Sequence, residues 1–338
     1  MRRSSLPIRV ISFVALLSLL LLSLVIKAAI SPVDPNGKHV SVILLPGTTF
    51  SEVATKLAAK KLIHRRAFTF FARVRQLDSK VRSGEYSLSP SMSSWEILTI
   101  LSRGQVLTYK ISIPEGLKAS QIANRLHEAQ IVEAADFLEG VHNIAWLQEH
   151  GLEGSSYEGY LFPETYTFSK GLPVKTVLRT FAAQFHDRWK RLESKAKNTG
   201  LNMREIVILA SIIEKETGQS SERPRIASVF LNRLAKGIRL QTDPTVIYGI
   251  KTFDGNLTRR HLNDSTNPYN TYQFSGLPPG PISNPGEASL HSVVEPEITK
   301  FLYFVARGDG SHEFTQTYRD HLKAVEKYQI RRSNLNKK

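Results

Sequence analysis

Apolar residues run almost unbroken from Val10 to Ile30, with only Ser12, Ser18, Ser23 and Lys27 among them. About 20 such residues can cross a bilayer core as a helix, and Lys27 can hold its ammonium at the interface while its stem stays in apolar surroundings. Past this run the period changes. Val42 and Leu44, and again Ile111 and Ile113, alternate with their neighbours as half-buried strands do. Val53 and Leu57, like Ile122 and Leu126, recur at helical spacing. A further helix is predicted from Asn202 to Thr217, with Ile206, Leu209 and Ile213 at its apolar centre and Gly218 placed to end it. Phe301–Ala306 reads as a strand, and Tyr318–Tyr328 as a final amphipathic helix. The expected fold class is α+β: a transmembrane helix, a middle region of short strands and helices, and a C-terminal mixed α+β domain.

The middle region repeats itself. The segment from Val42 to Leu57 aligns without a gap on the segment from Ile111 to Leu126, matching Gly47 with Gly116, Ser51 with Ser120, Ala54 with Ala123 and Leu57 with Leu126. Phe68 then falls opposite Phe137, Tyr86 leads to Glu96-Ile-Leu, and Tyr166 leads to Thr176-Val-Leu. Each copy predicts strand, helix, helix, strand, helix, with Ser51 and Ser120 as helix caps. Short βααβ units of this kind resemble LysM-like modules, a resemblance that implies binding of N-acetylglucosamine polymers; a structural spacer is the other reading. The expected organisation is a basic tail over 1–9, the span over 10–30, a LysM-like module over 31–109, a second repeat-related unit over 110–180, a catalytic domain over 181–330, and a basic tail over 331–338.

Charge narrows the compartment. Arg2, Arg3 and Arg9 precede the apolar run, and basic flanks hold their side in the cytoplasm, so the remainder is expected beyond the membrane. A cleaved signal peptide, with Ala28, Ala29 and Ser31 as its cleavage site, would export the chain equally. The 338-residue sequence contains no cysteine, which excludes disulfides, thiol nucleophiles and thiolate metal sites. Its net charge of +15 suits an anionic surface, either lipid headgroups or an acidic wall polymer, better than nucleic acid in an exported protein. Part of the excess sits in the tail at Arg331, Arg332, Lys337 and Lys338.

Chemistry concentrates after residue 157. On a helical wheel of the 202–217 segment, Glu216 falls between Leu209 and Ile212, Glu214 lies at the opposite border beside Val207, and Lys215 points away from the core. The two glutamates stand roughly 200° apart and cannot form a close pair. A carboxyl among apolar side chains stays protonated to higher pH, which is what a general acid needs. Glu216 meets that demand better than Glu214; a boundary carboxylate reaching water is the alternative. Gln241, Thr242 and Asp243, ahead of Pro244, form a constrained polar turn suited to sugar hydroxyls and acetamido groups. Tyr269, Asn270 and Tyr272 add aromatic faces and an amide, and Glu164 lies in the polar–aromatic stretch from Tyr157 to Phe168. His312, Glu313 and His321 lack zinc-type spacing, so no metal and no cofactor is expected.

Glu158-Gly-Tyr-Leu-Phe-Pro-Glu-Thr-Tyr166, Ala210-Ser-Ile-Ile-Glu-Lys-Glu-Thr217, Ala227-Ser-Val-Phe-Leu-Asn-Arg-Leu234, Leu240-Gln-Thr-Asp-Pro-Thr-Val-Ile-Tyr-Gly249, Tyr269-Asn-Thr-Tyr272, Gly276-Leu-Pro-Pro-Gly-Pro-Ile282 and Gly308-Asp-Gly-Ser-His-Glu-Phe314 occur in this order. Together they resemble the endolytic murein transglycosylases, the YceG-like or MltG-like family. The resemblance covers most of the chain, though the stretch from Val132 to Glu153 has no close match. It implies cleavage of β-1,4 bonds between N-acetylmuramic acid and N-acetylglucosamine, with Glu216 as the essential acid and Glu214 as second choice. One carboxyl would protonate the glycosidic oxygen and then take the proton of the muramic acid's own C6 hydroxyl, leaving a 1,6-anhydro end. Gln241, Thr242, Asp243, Tyr269, Asn270, Tyr272 and Glu164 would contact the glycan. The family also implies release of nascent strands at the inner membrane and, by analogy, partnership with wall synthases. A muramidase using Asp243 as a second carboxylate, and a non-catalytic wall-binding scaffold, are the competing readings.

Overall fold

The computed structural model describes residues 8–330; the predicted basic tails, apart from the backbone of residues 8 and 9, lie outside the described residues. Helix α1 (Ile8–Ile30) covers the apolar run. Among the described residues no helix is long and apolar enough to cross a membrane. After α1 come β1 (Val40–Leu44), α2 (Phe50–Ala59), α3 (Arg65–Val74), β2 (Gly84–Leu88) and α4 (Ser94–Arg103). The second copy follows as β3 (Tyr109–Ser112), α5 (Ala119–Glu128), α6 (Ala134–Val141), α7 (Ile144–Glu149), β4 (Thr165–Phe168) and α8 (Val174–Ala196). The first copy has the expected order of elements, and the second departs from it by an extra helix, α7, which with α6 occupies the stretch whose sequence resisted matching. The last region comprises α9 (Met203–Glu216), α10 (Arg223–Ala235), α11 (Asp243–Gly249), α12 (Arg259–Leu262), α13 (Glu287–Val294), β5 (Tyr303–Ala306), β6 (His312–Thr315) and α14 (Tyr318–Val325), closed by one π-helical turn, Glu326–Ile330.

The chain divides into two compact units. Among the described residues, one comprises 8–110, 129–132 and 167–173; the other comprises 111–128, 133–166 and 174–330. In the first, β1 and β2 pair antiparallel with Val42 opposite Tyr86. The alternation predicted for β1 puts Val42 and Leu44 inside, where they meet Val53, Leu57, Phe68 and Leu88. The cap of α2 is Thr49, not Ser51: its hydroxyl accepts from Glu52 N while Glu52 reaches back to Thr49 N. A residue three before a glutamate closes such a box, and Ser51 is too far along to do so.

In the second unit Ser120 is likewise inside its helix. The first turn of α5 is served from a distance, because the Glu158 carboxylate accepts from Ala119 N at 3.0 and 3.1 Å. Helix α9 is the centre of this unit and packs against α10, α11 and α13. Asn202 and Glu205 form its capping box, and Ile206, Leu209, Ile212 and Ile213 are fully buried. Its far end differs from expectation. Thr217 turns extended after Glu216, and Thr217 Oγ1 accepts from Gln219 N at 2.9 Å, so no left-handed glycine is needed there. The proline- and glycine-rich stretch after Gly276 folds against α9: Ser211 Oγ accepts from Ile282 N at 3.0 Å, and Ser283 Oγ donates to Ser211 O at 3.1 Å. Gly159, at φ +89°, lets this stretch close in, because a Cβ there would meet Pro281 and Val207 at 2.5–2.7 Å.

Candidate active site

A cleft of about 490 Å³ opens at the C-terminal end of α9. Glu216, Gln241, Thr242, Asp243 and Tyr272 all line it, and so does Arg233. The end of α9 and the Gln241–Asp243 turn therefore face one space. Thr242 Oγ1 donates a hydrogen bond to Glu216 Oε1. Two further buried threonines fix the backbone that carries that hydroxyl: Thr242 N donates to Thr271 Oγ1 at 3.0 Å, Thr245 Oγ1 to Thr242 O at 2.7 Å, and Thr245 and Thr271 hydroxyls meet at 2.8 Å. Pro244, in the first turn of α11, suits a position where no amide donor is required.

Burial pushes the Glu216 carboxyl up to about 7 from an ordinary 4.5, against the Thr242 hydrogen bond, which pulls the other way. The charge of Asp243 adds to the rise, while His312 and Arg233 oppose it. A carboxyl in this state is protonated in a large fraction of molecules near neutral pH, as general-acid catalysis requires. Glu214 has a different fate. Its Oε1 accepts from Arg223 Nη2 at 3.1 Å and its Oε2 from Gly286 N at 2.9 Å, so it works as a buried strut between α9, α10 and the start of α13.

Arg233 is the residue that sequence reasoning passed over. From α10 its guanidinium donates to Leu302 O at 2.6 Å, Arg239 O at 3.1 Å and Leu240 O at 2.9 Å, tying the Gln241–Asp243 turn to β5. A lone charged residue in the Val229-Phe-Leu-Asn-Arg-Leu run is the signal that could have found it. Gln241 sits at φ 50° on this turn, with Gln241 N donating to Thr271 O at 3.1 Å. Tyr272 donates its hydroxyl to Asp243 Oδ1 at 2.7 Å.

Residues 42–327 match the YceG-like family. The chain belongs to that family. A curated relative from Bacillus subtilis (strain 168), an endolytic murein transglycosylase, is 31% identical over 325 residues, which is 89% of this chain and 88% of the relative. Another of the same name from Streptococcus pneumoniae serotype 2 is 28% identical over 327 residues, covering 87% of this chain and 59% of the relative. The 2.6 Å crystal structure of a putative yceG-like protein from Listeria monocytogenes superposes with a TM-score of 0.59 at 31% identity, over 85% of this chain and 99% of that one.

Three residues expected to touch glycan in this YceG-like chain stand outside the lining of the cleft. Asn270 is fully buried, and its amide nitrogen is spent on His261 O, Leu262 O and Asp264 O at 2.8–3.2 Å. Tyr269 packs on Tyr248, with ring centroids 4.7 Å apart. Glu164 pairs with Arg188 at 3.0 Å. A second buried acid, Glu158, also escaped notice as a titrating group. Burial raises it to about 7, although Ala119 N, Tyr248 and Asn284 donate to it. It holds backbone in place and does not line the Glu216 cleft. Of the residues considered for a metal, His312 bonds Glu222 and Glu313 bonds Arg307. No group of three metal-type ligands occurs among the described residues.

Proposed function

We propose that this chain is a membrane-anchored endolytic lytic transglycosylase of peptidoglycan, cutting between N-acetylmuramic acid and N-acetylglucosamine and leaving a 1,6-anhydro end. The observation that carries the chemistry is one carboxyl, Glu216, enclosed at the mouth of a cleft and raised to about 7. Protonated Glu216 donates to the glycosidic oxygen as the bond to the anomeric carbon breaks. The muramic acid's C6 oxygen closes on that carbon, and its proton passes to a base in the same cleft. Gln241 and Asp243, both exposed on a turn fixed by Arg233, are placed to meet sugar hydroxyls. Asp243 also supports a second reading, because a muramidase needs another carboxylate to activate water. Product mass separates the two: an anhydro end is one water lighter than a reducing end. Glu216→Gln is expected to abolish cleavage while leaving glycan binding intact. Cleavage retained by that variant would remove Glu216 from the mechanism.

The anchor rests on the sequence pattern and on α1 being one continuous 23-residue helix, roughly 35 Å long at about 1.5 Å per residue. Its side chains at Phe13, Leu16, Leu19 and Leu20 are exposed and apolar. With the basic N-terminus inside, the catalytic unit works beyond the inner membrane, close to nascent strands and to wall synthases as partners. The repeats from β1 to α4 and β3 to α8 are LysM-like glycan-holding modules in this reading. The full chain should sediment with membranes and be released by detergent. Release by salt alone would rule the anchor out.

A further inference from the structure

Glu222 closes the short 3-10 turn before α10, and His312 opens β6. Both oxygens of the Glu222 carboxylate are engaged by this one histidine: His312 N donates to Oε1 at 2.9 Å, and the ring Nδ1 meets Oε2 at 2.6 Å. An ionised carboxylate can only accept, so Nδ1 carries the proton and Nε2 is the ring's second polar atom. Phe304 and Phe314 flank the ring, with centroids at 5.4 and 6.3 Å. Both side chains of the pair are about one-tenth exposed, at 11% and 10%. The orientation and the tautomer are thus fixed, while His312 lines the same cleft as Glu216. No hydrogen bond engages Nε2 among the described residues. A histidine backed by a carboxylate is the arrangement that activates hydroxyl nucleophiles. Here the hydroxyl belongs to the substrate.

We propose that His312, oriented by Glu222, is the base that receives the proton of the attacking C6 hydroxyl, while Glu216 supplies the proton to the leaving oxygen. This rests on the transglycosylase reading and divides between two groups the proton transfers first assigned to Glu216 alone. The bond from the anomeric carbon to the leaving oxygen breaks, and that oxygen takes the Glu216 proton. The bond from O6 to the anomeric carbon forms, and the O6 proton moves to Nε2. The carboxylate and imidazolium left behind attract each other across the cleft. Return of one proton from His312 to Glu216 restores the starting state. His312 is then a catalytic residue and Glu222 a positioning residue. The charged and titratable groups bonded to the ring or lining its cleft are Glu222, Glu216, Arg233, Asp243, Tyr272, Tyr303, Tyr318 and His321.

The test uses the full chain in detergent on purified uncross-linked glycan strands, with thermal melts to confirm folding. His312→Ala should lose about 10²–10³-fold in kcat, with KM within about threefold of the wild type. The acid-side fall of its pH profile should vanish, and added imidazole should restore part of the rate. His312→Gln, closer in size, should lose kcat without rescue, and Glu222→Gln should fall between it and the wild type. Retention of kcat within about threefold in both His312 variants would overturn the assignment. So would a loss with an unchanged pH profile and no imidazole rescue, which would make the pair a structural staple. A reducing end on the wild-type product would instead overturn the transglycosylase reading itself, and product mass tells that failure apart from the others.

Discussion

Glu216→Gln should change stability in a way that depends on pH and owes nothing to substrate. The carboxyl has an ordinary value of 4.5 and is raised to about 7 in the folded chain. The folded state therefore holds this proton more tightly than the unfolded state does. Its contribution is fully present below pH 4.5 and is lost as pH rises through about 7. At about 1.4 kcal/mol per unit, the full shift corresponds to about 3 kcal/mol, and water reaching the carboxyl from the cleft trims this toward about 2 kcal/mol. A glutamine has nothing to titrate, so the variant escapes the loss. Urea unfolding of both proteins at pH 5 and pH 8 should show the variant gaining about 2–3 kcal/mol relative to the wild type over that interval. Only the change in the difference matters, so the constant cost of swapping an oxygen for an amide cancels. If the difference is the same at both pH values, the carboxyl is not desolvated and the general-acid argument fails with it.

Glu214→Gln should act on folding first, because it breaks the buried pair with Arg223 and leaves that guanidinium poorly matched; about 3–5 kcal/mol is expected in denaturant midpoints. A variant that kept wild-type stability would contradict the strut. Thr242→Val removes a hydrogen bond that lowers Glu216, one worth about 1.5–3 kcal/mol to a charged acceptor. The alkaline limb of kcat/KM should therefore move up by about 1–2 pH units, and a limb that stays put or moves down would show that the hydroxyl does not hold the carboxylate.

The parts of the site legible in the sequence were those carried by periodicity. The spacing of Ile206, Leu209 and Ile213 located α9 and separated Glu216 from Glu214, and matched residues gave the strand–helix–helix–strand–helix order of the first copy, to which the second adds α7. What stayed hidden depends on partners distant in sequence. Ser120 has the chemistry of a cap, but Glu158, 39 residues from Ala119, serves the first turn of α5. Asn270 and Tyr269 are polar and aromatic loop residues, and nothing local says that the amide of Asn270 is used up on three carbonyls. Gly218 lost its expected role because Thr217 leaves the helix through an extended conformation. The part played by Arg233 depends on Leu302, the residue just before β5, which lies 69 residues away in sequence.

That early exit of the chain at Thr217 makes Glu216 the last residue of α9. The peptide dipoles of a helix add up, and their negative pole lies at its final carbonyls. Here the pole sits beside the acid, where it discourages a second negative charge and so keeps the proton on. A sugar ring that turns positive as its bond opens would meet the same pole as an attraction. The backbone of one helix thus favours the neutral, protonated acid before the reaction and the electron-poor ring during it, without any further side chain.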